Sequence, residues 1–395
     1  MRVYFKTFGC RLNRAESLDE EARYLADGWT SVESPAMADL IVVRCCSVTG
    51  RAEQESRKFL EKMRREHPLA HILPSGCLPQ AIKAKYYRPL PDAYVPAFPG
   101  TDPSIPVRTS RAYLKVQDGC NGRCTFCAIP KFRGKSVSTD FSQCLERAGR
   151  FIEAGYHEIV VTGCNLSLYS SGGKHLCDLI GALADLDRNC RIRIGSLEPG
   201  ICDSETLHAM ASRKNICRSL HIPVQSGSDR ILLAMRRPYL SRDITRMVDT
   251  AIRLMSDIAI GCDLITGFPG ETDLDFIATR SLLERLPFSN AHIFPYSERP
   301  GTAAATFSGS VSKHLRSARA HMLQHQATEN RRRFARRFIG RTVEVIIEDE
   351  PKSAGWTSQY LWFESSNAEK SAARKSLARF KVLKSENGIL KGIPL

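Results

Sequence analysis

A chain of 395 residues, 43% hydrophobic and 25% charged, is globular in composition and long enough for two or three domains. No apolar run approaches the roughly 18 residues of a membrane span, and the start MRVYFKTFGC shows no apolar leader or cleavage site, so a cytoplasmic protein with no membrane partner is expected. That compartment argues against a disulfide framework for the 14 cysteines and makes metal ligands of those that cluster.

Residues 1 to about 90 alternate strands and helices. RVYFKTF reads as a strand, SLDEEARYLADG as a helix ending at Gly28, DLIVVR as a buried parallel strand, TGRAEQESRKFLEKMRREH as a helix and HILPS as a third strand. Cysteine follows each strand: Cys10, then Cys45 and Cys46, then Cys77. Ligands of open parallel sheets gather beyond the carboxyl ends of the strands, so three thiolates would meet at one edge. The alternative is three independent small core residues. Residues 91–110 are proline-rich, the pattern of a linker.

Six more strand candidates, each followed by a helical stretch, are AYLKVQ (112–117), HEIVVT (157–162), RIRIGS (191–196), RSLHIPV (218–224), IAIGCDLIT (258–266) and NAHIFPY (290–296). Six βα units suit a partial barrel with an open side and place active residues at the carboxyl ends of its strands. The loop GCNGRCTFC, with Cys120, Cys124 and Cys127, follows the first of them. Three soft ligands suit a 4Fe-4S cluster with one iron left open. Zinc completed by a histidine is the alternative, although no histidine lies between Arg123 and His157. Glu198 and Gln225 also stand at strand ends, where they can hydrogen-bond a ribose or a methionine, or simply hold a loop. Cys144, Cys164, Cys177, Cys190, Cys202, Cys217 and Cys262 lack paired spacing and read as core or surface residues.

The net charge of +15 is concentrated: residues 311–341 carry nine basic side chains and one acidic. Opening at an N-cap candidate, Ser312, and closing at Gly340, the segment reads as a long basic helix. Its arginines are either a solvated face or a contact for a polyanion, most simply nucleic acid. From about 341 onward, TVEVIIED, GWTSQYLWFE, LARFKVLK and GILKGIPL read as strands of a small β-barrel, with SSNAEKSAARKS as a loop.

These motifs resemble one family. GCNGRCTFC is similar to the cluster motif of radical S-adenosylmethionine (SAM) enzymes. TFGCRLNRAES, VVRCCSVTGRAEQESR, SGCLPQ, VQDGCNGRCTFCAIPKFRG, VVTGCNLSLYSSG, HIPVQSGSDRILLAMRRPY, DLITGFPGET and FPYSERPGTAA resemble the methylthiotransferases in sequence and in order, over nearly the whole chain. The fold implied is α/β in three parts: an open parallel-sheet α/β domain over 1–95, a partial (β/α)6 radical SAM barrel over 106–338, and a small all-β TRAM-like RNA-binding barrel over 339–395.

By resemblance, Cys120, Cys124 and Cys127 hold the radical cluster, Phe126 packs on the adenine of SAM, and Cys10, Cys46 and Cys77 hold a second 4Fe-4S cluster. The chain departs from the family pattern at Arg44, Cys45 and Val137, and a ligand role for Cys45 stays open. The implied reaction replaces C–H by C–SCH3, using two SAM molecules per turnover, an electron donor such as flavodoxin or ferredoxin, and a sulfur source. Family substrates are adenosine-37 of tRNA bearing a threonylcarbamoyl or an isopentenyl group, and a ribosomal-protein aspartate. The forms GCRLN followed by ES, VQDGC and FPYSERPGT look most like the threonylcarbamoyladenosine enzymes. Arg331, Arg332, Arg333, Arg336 and Arg337 would then contact phosphates while the barrel holds the anticodon arm. A reading from another class, a non-catalytic iron-sulfur RNA-binding protein, keeps helix and barrel but needs no SAM.

Overall fold

The computed structural model describes residues 1–89, 109–201, 204–366 and 372–395. The first unit is a parallel sheet ordered Thr30–Ser31, Arg2–Thr7, Leu40–Cys46, His71–Cys77. Its central strand, Leu40–Cys46, is apolar on both faces because helices cover both. Leu40 and Val42 pack with Tyr24 of the helix Arg11–Ala26, while Ile41 and Val43 pack with Leu60 and Met63 of the helix Gly50–Glu66. Two boundaries differ from expectation. The first helix starts at Arg11 rather than Ser17, because the extended backbone of Cys10 already serves as its N-cap. Both later strands run on through their cysteines, so Cys46 and Cys77 are strand residues.

The second unit has six parallel strands in sequence order: Ala112–Lys115, Glu158–Thr162, Arg191–Ile194, Ser219–Gln225, Ala259–Thr266 and Asn290–Pro295. They form two three-stranded sheets joined by single bridges, Ile192 to Ile216 and Ser196 to His221. Alternate residues Leu220, Ile222 and Val224 pack into the helical layer, which turns Ser219, His221 and Pro223 into the barrel. The barrel stays open between its first and last strands, and the N-terminal unit spans that gap. On one side Glu16 binds Lys115 at 2.6 Å; on the other the Gly50 N–H donates to Ser297 at 3.2 Å and Glu53 pairs with Arg299.

The C-terminal unit is a closed barrel ordered Thr342–Asp349, Ala354–Thr357, Trp362–Ser365, Ile389–Pro394, Leu377–Glu386. The stretch GWTSQYLWFE, expected as one strand, breaks into two. Thr357 and Leu361 exchange hydrogen bonds of 3.0 and 3.1 Å across a turn that holds Tyr360 at a φ of 58°. The helix Lys313–Arg336, capped by Ser312, lies along the strand Asn290–Pro295 and ends with Phe334 in the core of this barrel. Its cations divide. Arg316 and Arg319 are buried and paired with Glu298 and Glu271, so part of the basic surplus is internal rather than a polyanion surface.

Three sequence features fall wholly or partly outside the described residues: the proline-rich stretch up to residue 108, Cys202, and 367–371 of the polar loop. No described helix is long and apolar enough to cross a membrane.

Candidate active site

Cys10 is exposed at the start of its helix, whereas Cys46 and Cys77 are buried and directly opposite one another on neighbouring strands. Gly9 lets the Cys10 turn lie against Cys46. Its φ is +96°, and a Cβ there would fall 2.6 Å from the Cys46 Cβ and 2.9 Å from its Sγ. Strand alternation sends Cys45 the other way, into the core with Ile41 and Val43, where its thiol donates to the Val43 carbonyl at 3.4 Å. Burial pushes the Cys46 thiol up to about 11 and that of Cys45 up to about 12.

The strand Ala112–Lys115 leads into a two-stranded ribbon, Gln117–Asp118 with Val137–Ser138, and the loop between its strands carries Cys120, Cys124 and Cys127. Each sulfur accepts a hydrogen bond. The Gly122 N–H donates to Cys120 at 3.3 Å, the Ile129 N–H to Cys127 at 3.4 Å, and Arg237 Nη1 to Cys124 at 3.0 Å. Burial raises the Cys124 thiol against the opposing charge of Arg237, and pushes Cys127 up to about 11. These sulfurs would ionise when a metal takes the place of the proton.

One side chain ties the ribbon that carries the second loop to the first trio. Arg133, just after Cys127, donates Nε to Cys77 Sγ at 2.9 Å, Nη1 to Glu16 and Asp118 at 2.9 and 3.0 Å, and Nη2 to Asn13 Oδ1 at 2.8 Å. Asn13 in turn donates to the carbonyls of Phe8 and Cys45, both at 2.8 Å. The two cysteine loops therefore share one hydrogen-bond network, and Cys10 faces an open cleft of about 440 Å³ that also touches Arg11, Arg111 and Tyr113. Cysteine spacing gives no hint of Arg133 or Asn13, which lie far apart in sequence and meet only when the units dock.

Neither cysteine trio has the geometry of a single-metal cage. Among the described residues the only three His, Cys, Asp or Glu ligand atoms that all lie within 4.8 Å of one another belong to His221, Asp263 and His292, whereas thiolates sharing one tetrahedral zinc sit about 3.8 Å apart. Wider-set soft donors suit a polynuclear cluster.

Comparison with known proteins accords with this geometry. The Radical SAM superfamily pattern matches residues 114–283, and that of the uncharacterized protein family UPF0004 matches residues 2–95. A tRNA-2-methylthio-N(6)-dimethylallyladenosine synthase of Bartonella bacilliformis is 32% identical, over 90% of this chain and 87% of that one. The threonylcarbamoyladenosine tRNA methylthiotransferase MtaB of Thermotoga maritima is 31% identical, over 88% and 86%. The chain belongs to the radical SAM methylthiotransferase family. In fold it is also similar to the radical SAM methyltransferase TsrM of Kitasatospora setae, with a TM-score of 0.55 at 14% identity over 77% of each chain.

A radical SAM methylthiotransferase uses a 4Fe-4S cluster and SAM, which together supply a 5'-deoxyadenosyl radical. The residues present fit these groups. Three thiols carry N–H donors, and beside them Glu198, 7% exposed, accepts from Asn165 at 2.5 Å and pairs with the same Arg237 that reaches Cys124. Phe126 packs against the buried cluster of Ile231, Met235, Phe268 and Tyr296. Gln225 ends its strand at a register break with a left-handed φ of 65°, a strained conformation of the kind found at ligand sites.

The five arginines that the sequence groups together are not equivalent in the fold. Arg333 and Arg336 are exposed, Arg337 donates to the Ser256 carbonyl at 2.8 Å, and Arg332 binds Glu329 at 2.5 Å and Asn387 at 3.0 Å. Arg331 turns inward, toward the barrel. The sequence also gave no warning of the trio on adjacent strands, where His221 Nε2 and His292 Nδ1 lie 3.0 and 3.5 Å from Asp263 Oδ1. Burial opposes ionisation of Asp263, but the two imidazoles hold its carboxyl well below the usual range.

Proposed function

We propose that the protein methylthiolates carbon-2 of N6-threonylcarbamoyladenosine at position 37 of tRNA. The reading is supported chiefly by Arg133, which follows the loop of one cysteine trio and binds Cys77 of the other. Cys120, Cys124 and Cys127 hold the radical cluster, with Phe126, Glu198 and Gln225 lining the SAM site. Cys10, Cys46 and Cys77 hold a second 4Fe-4S cluster that presents sulfur. Holding both within one hydrogen-bonded frame keeps the activated carbon and the sulfur within reach of each other. The three domains are 1–95, 106–338 and 339–395, and the last, with the exposed Arg333 and Arg336, grips the anticodon arm. A flavodoxin- or ferredoxin-like donor supplies electrons, a separate source supplies sulfur, and the work is done in the cytoplasm.

The choice of modified adenosine is supported by the forms GCRLN, VQDGC and FPYSERPGT. Both kinds of relative are about equally similar, so identity alone favours neither. Nucleoside analysis of tRNA from a deletion strain tests it: the 2-methylthio derivative of threonylcarbamoyladenosine is expected to disappear, and its persistence sinks the assignment. The second cluster has its own test. Gly9→Ala forces a Cβ into Cys46, so the reconstituted variant is expected to hold about four rather than about eight irons per chain while still releasing 5'-deoxyadenosine. Full iron content in that variant would show that the close approach of Gly9 to Cys46 is not needed to hold the second cluster.

A further inference from the structure

Where the three units meet, a small pocket opens to the barrel interior with about 60 Å³ for water-sized groups, and its walls carry Arg11, Arg331, Tyr360, His221, His292 and Asn290. Two of these are guanidiniums without a carboxylate. Among the described residues Arg11 makes no ion pair, and its guanidinium carbon sits 4.8 Å from the centre of the Tyr360 ring. Arg331, laid over Gly388, likewise has no acidic partner among them, and burial lowers its pKa. The other charges nearby are already matched. Asp263 is taken up by His221 and His292, and Arg193, whose guanidinium carbon lies 4.9 Å from the centre of the same Tyr360 ring, is bound to Glu158 at 2.7 Å. Two half-buried cations, a phenol and an amide facing a pocket of this size leave a net demand for one compact anion.

The position of the pocket says which anion. His221 lies four residues before Gln225, about 13 Å down the barrel from the rim where SAM is placed, and Arg11 follows Cys10 directly. Carbon-2 and carbon-6 of an adenine flank N1, so a base with carbon-2 at the reacting groups carries its N6 substituent to the side of them, and a substituent several bonds long can reach the barrel wall. A threonylcarbamoyl group ends in a carboxylate and a hydroxyl, whereas an isopentenyl group is wholly apolar and would leave both guanidiniums desolvated and unpaired. We infer that Arg331 and Arg11, with Tyr360 and Asn290, form a carboxylate subsite that reads the threonylcarbamoyl group of the substrate base. This rests on the substrate reading above and extends it to named specificity residues.

The test measures equilibrium binding to the reconstituted full chain of three anticodon stem-loops of one sequence, with adenosine-37 bearing threonylcarbamoyl, bearing isopentenyl, or unmodified. Wild type is expected to bind the threonylcarbamoyl RNA about tenfold or more tightly than the unmodified one, and Arg331→Gln to lose most of that ratio, with Arg331→Lys recovering part of it. Arg11→Gln gives the same readout from a different domain. A ratio left intact in both Gln variants overturns the subsite while the substrate reading stands. A parallel fall for modified and unmodified RNA also overturns it, since that marks a phosphate contact. Wild type methylthiolating the isopentenyl RNA alone overturns subsite and substrate reading together.

Discussion

Cys124→Ser is expected to abolish reductive release of 5'-deoxyadenosine, whereas Cys46→Ser leaves that release in place and stops only methylthio product. The two cysteines belong to different trios on different units, so under the proposed function their loss would separate two halves of one reaction. Cys124 accepts from Arg237, which also binds Glu198, so under the proposed assignment the serine removes a soft ligand where cluster and SAM site would meet. Loss of an outer partner of a metal ligand typically costs about 10- to 100-fold, and loss of the ligand itself should exceed the upper figure. Cys46 sits in the N-terminal frame, opposite Cys77 and against Gly9. Anaerobic assay of both products under dithionite gives the readout. Product formation by Cys46→Ser would show that the N-terminal trio presents no sulfur, and deoxyadenosine from Cys124→Ser would displace the radical cluster from its loop.

The second large effect concerns stability. Glu158 is 0% exposed, accepts from Arg193 Nε at 2.7 Å and Arg191 Nε at 3.0 Å, and lies 3.8 Å from Arg111. The same arginines donate to carbonyls of the C-terminal barrel, Arg191 to Glu344 and Trp356 and Arg193 to Thr357 and Ser358, so one carboxylate anchors the weld between two domains. Glu158→Gln leaves the buried Arg193 without a carboxylate, and Arg191 and Arg111 with only the outlying Glu344 and Glu348, and is expected to destabilise by about 3–5 kcal/mol, read as a lowered midpoint in urea. A loss under about 1 kcal/mol would mean that water reaches the cluster.

The sign of the accompanying pH dependence is fixed. Burial opposes ionisation of Glu158, but Arg193 and Arg191 outweigh it and hold its carboxyl at about 2, against about 4.3 for an unfolded glutamate. A depressed folded value gives stability that is complete above about 4.3 and is lost as pH falls toward 2. The wild type should therefore lose about 3 kcal/mol across that window that Glu158→Gln has already lost. Parallel acid titrations of the two proteins would contradict this.

What the sequence by itself determined is local. Period-two and apolar runs placed the parallel strands to within a few residues, and the loops carrying Cys10, Cys46, Cys77, Cys120, Cys124 and Cys127 stood out by motif, since a strand or a cluster loop depends on residues that are neighbours in the chain. The turning of Cys45 away from Cys46, by contrast, rests on the strand running on through both cysteines, where the sequence reading ended it at Arg44. Tertiary structure decided whatever depends on partners distant in sequence. Charge counting could not see that Arg316 and Arg319 are buried in ion pairs, because it assigns every lysine and arginine to the surface. GWTSQYLWFE looked like one strand because its turn is closed by Thr357 and Leu361 rather than by glycine or proline, and that turn delivers Tyr360 to Arg11. Arg133 on Cys77, 56 residues away, and the meeting of His221, Asp263 and His292 across three strands exist only once the sheets are ordered and the units docked.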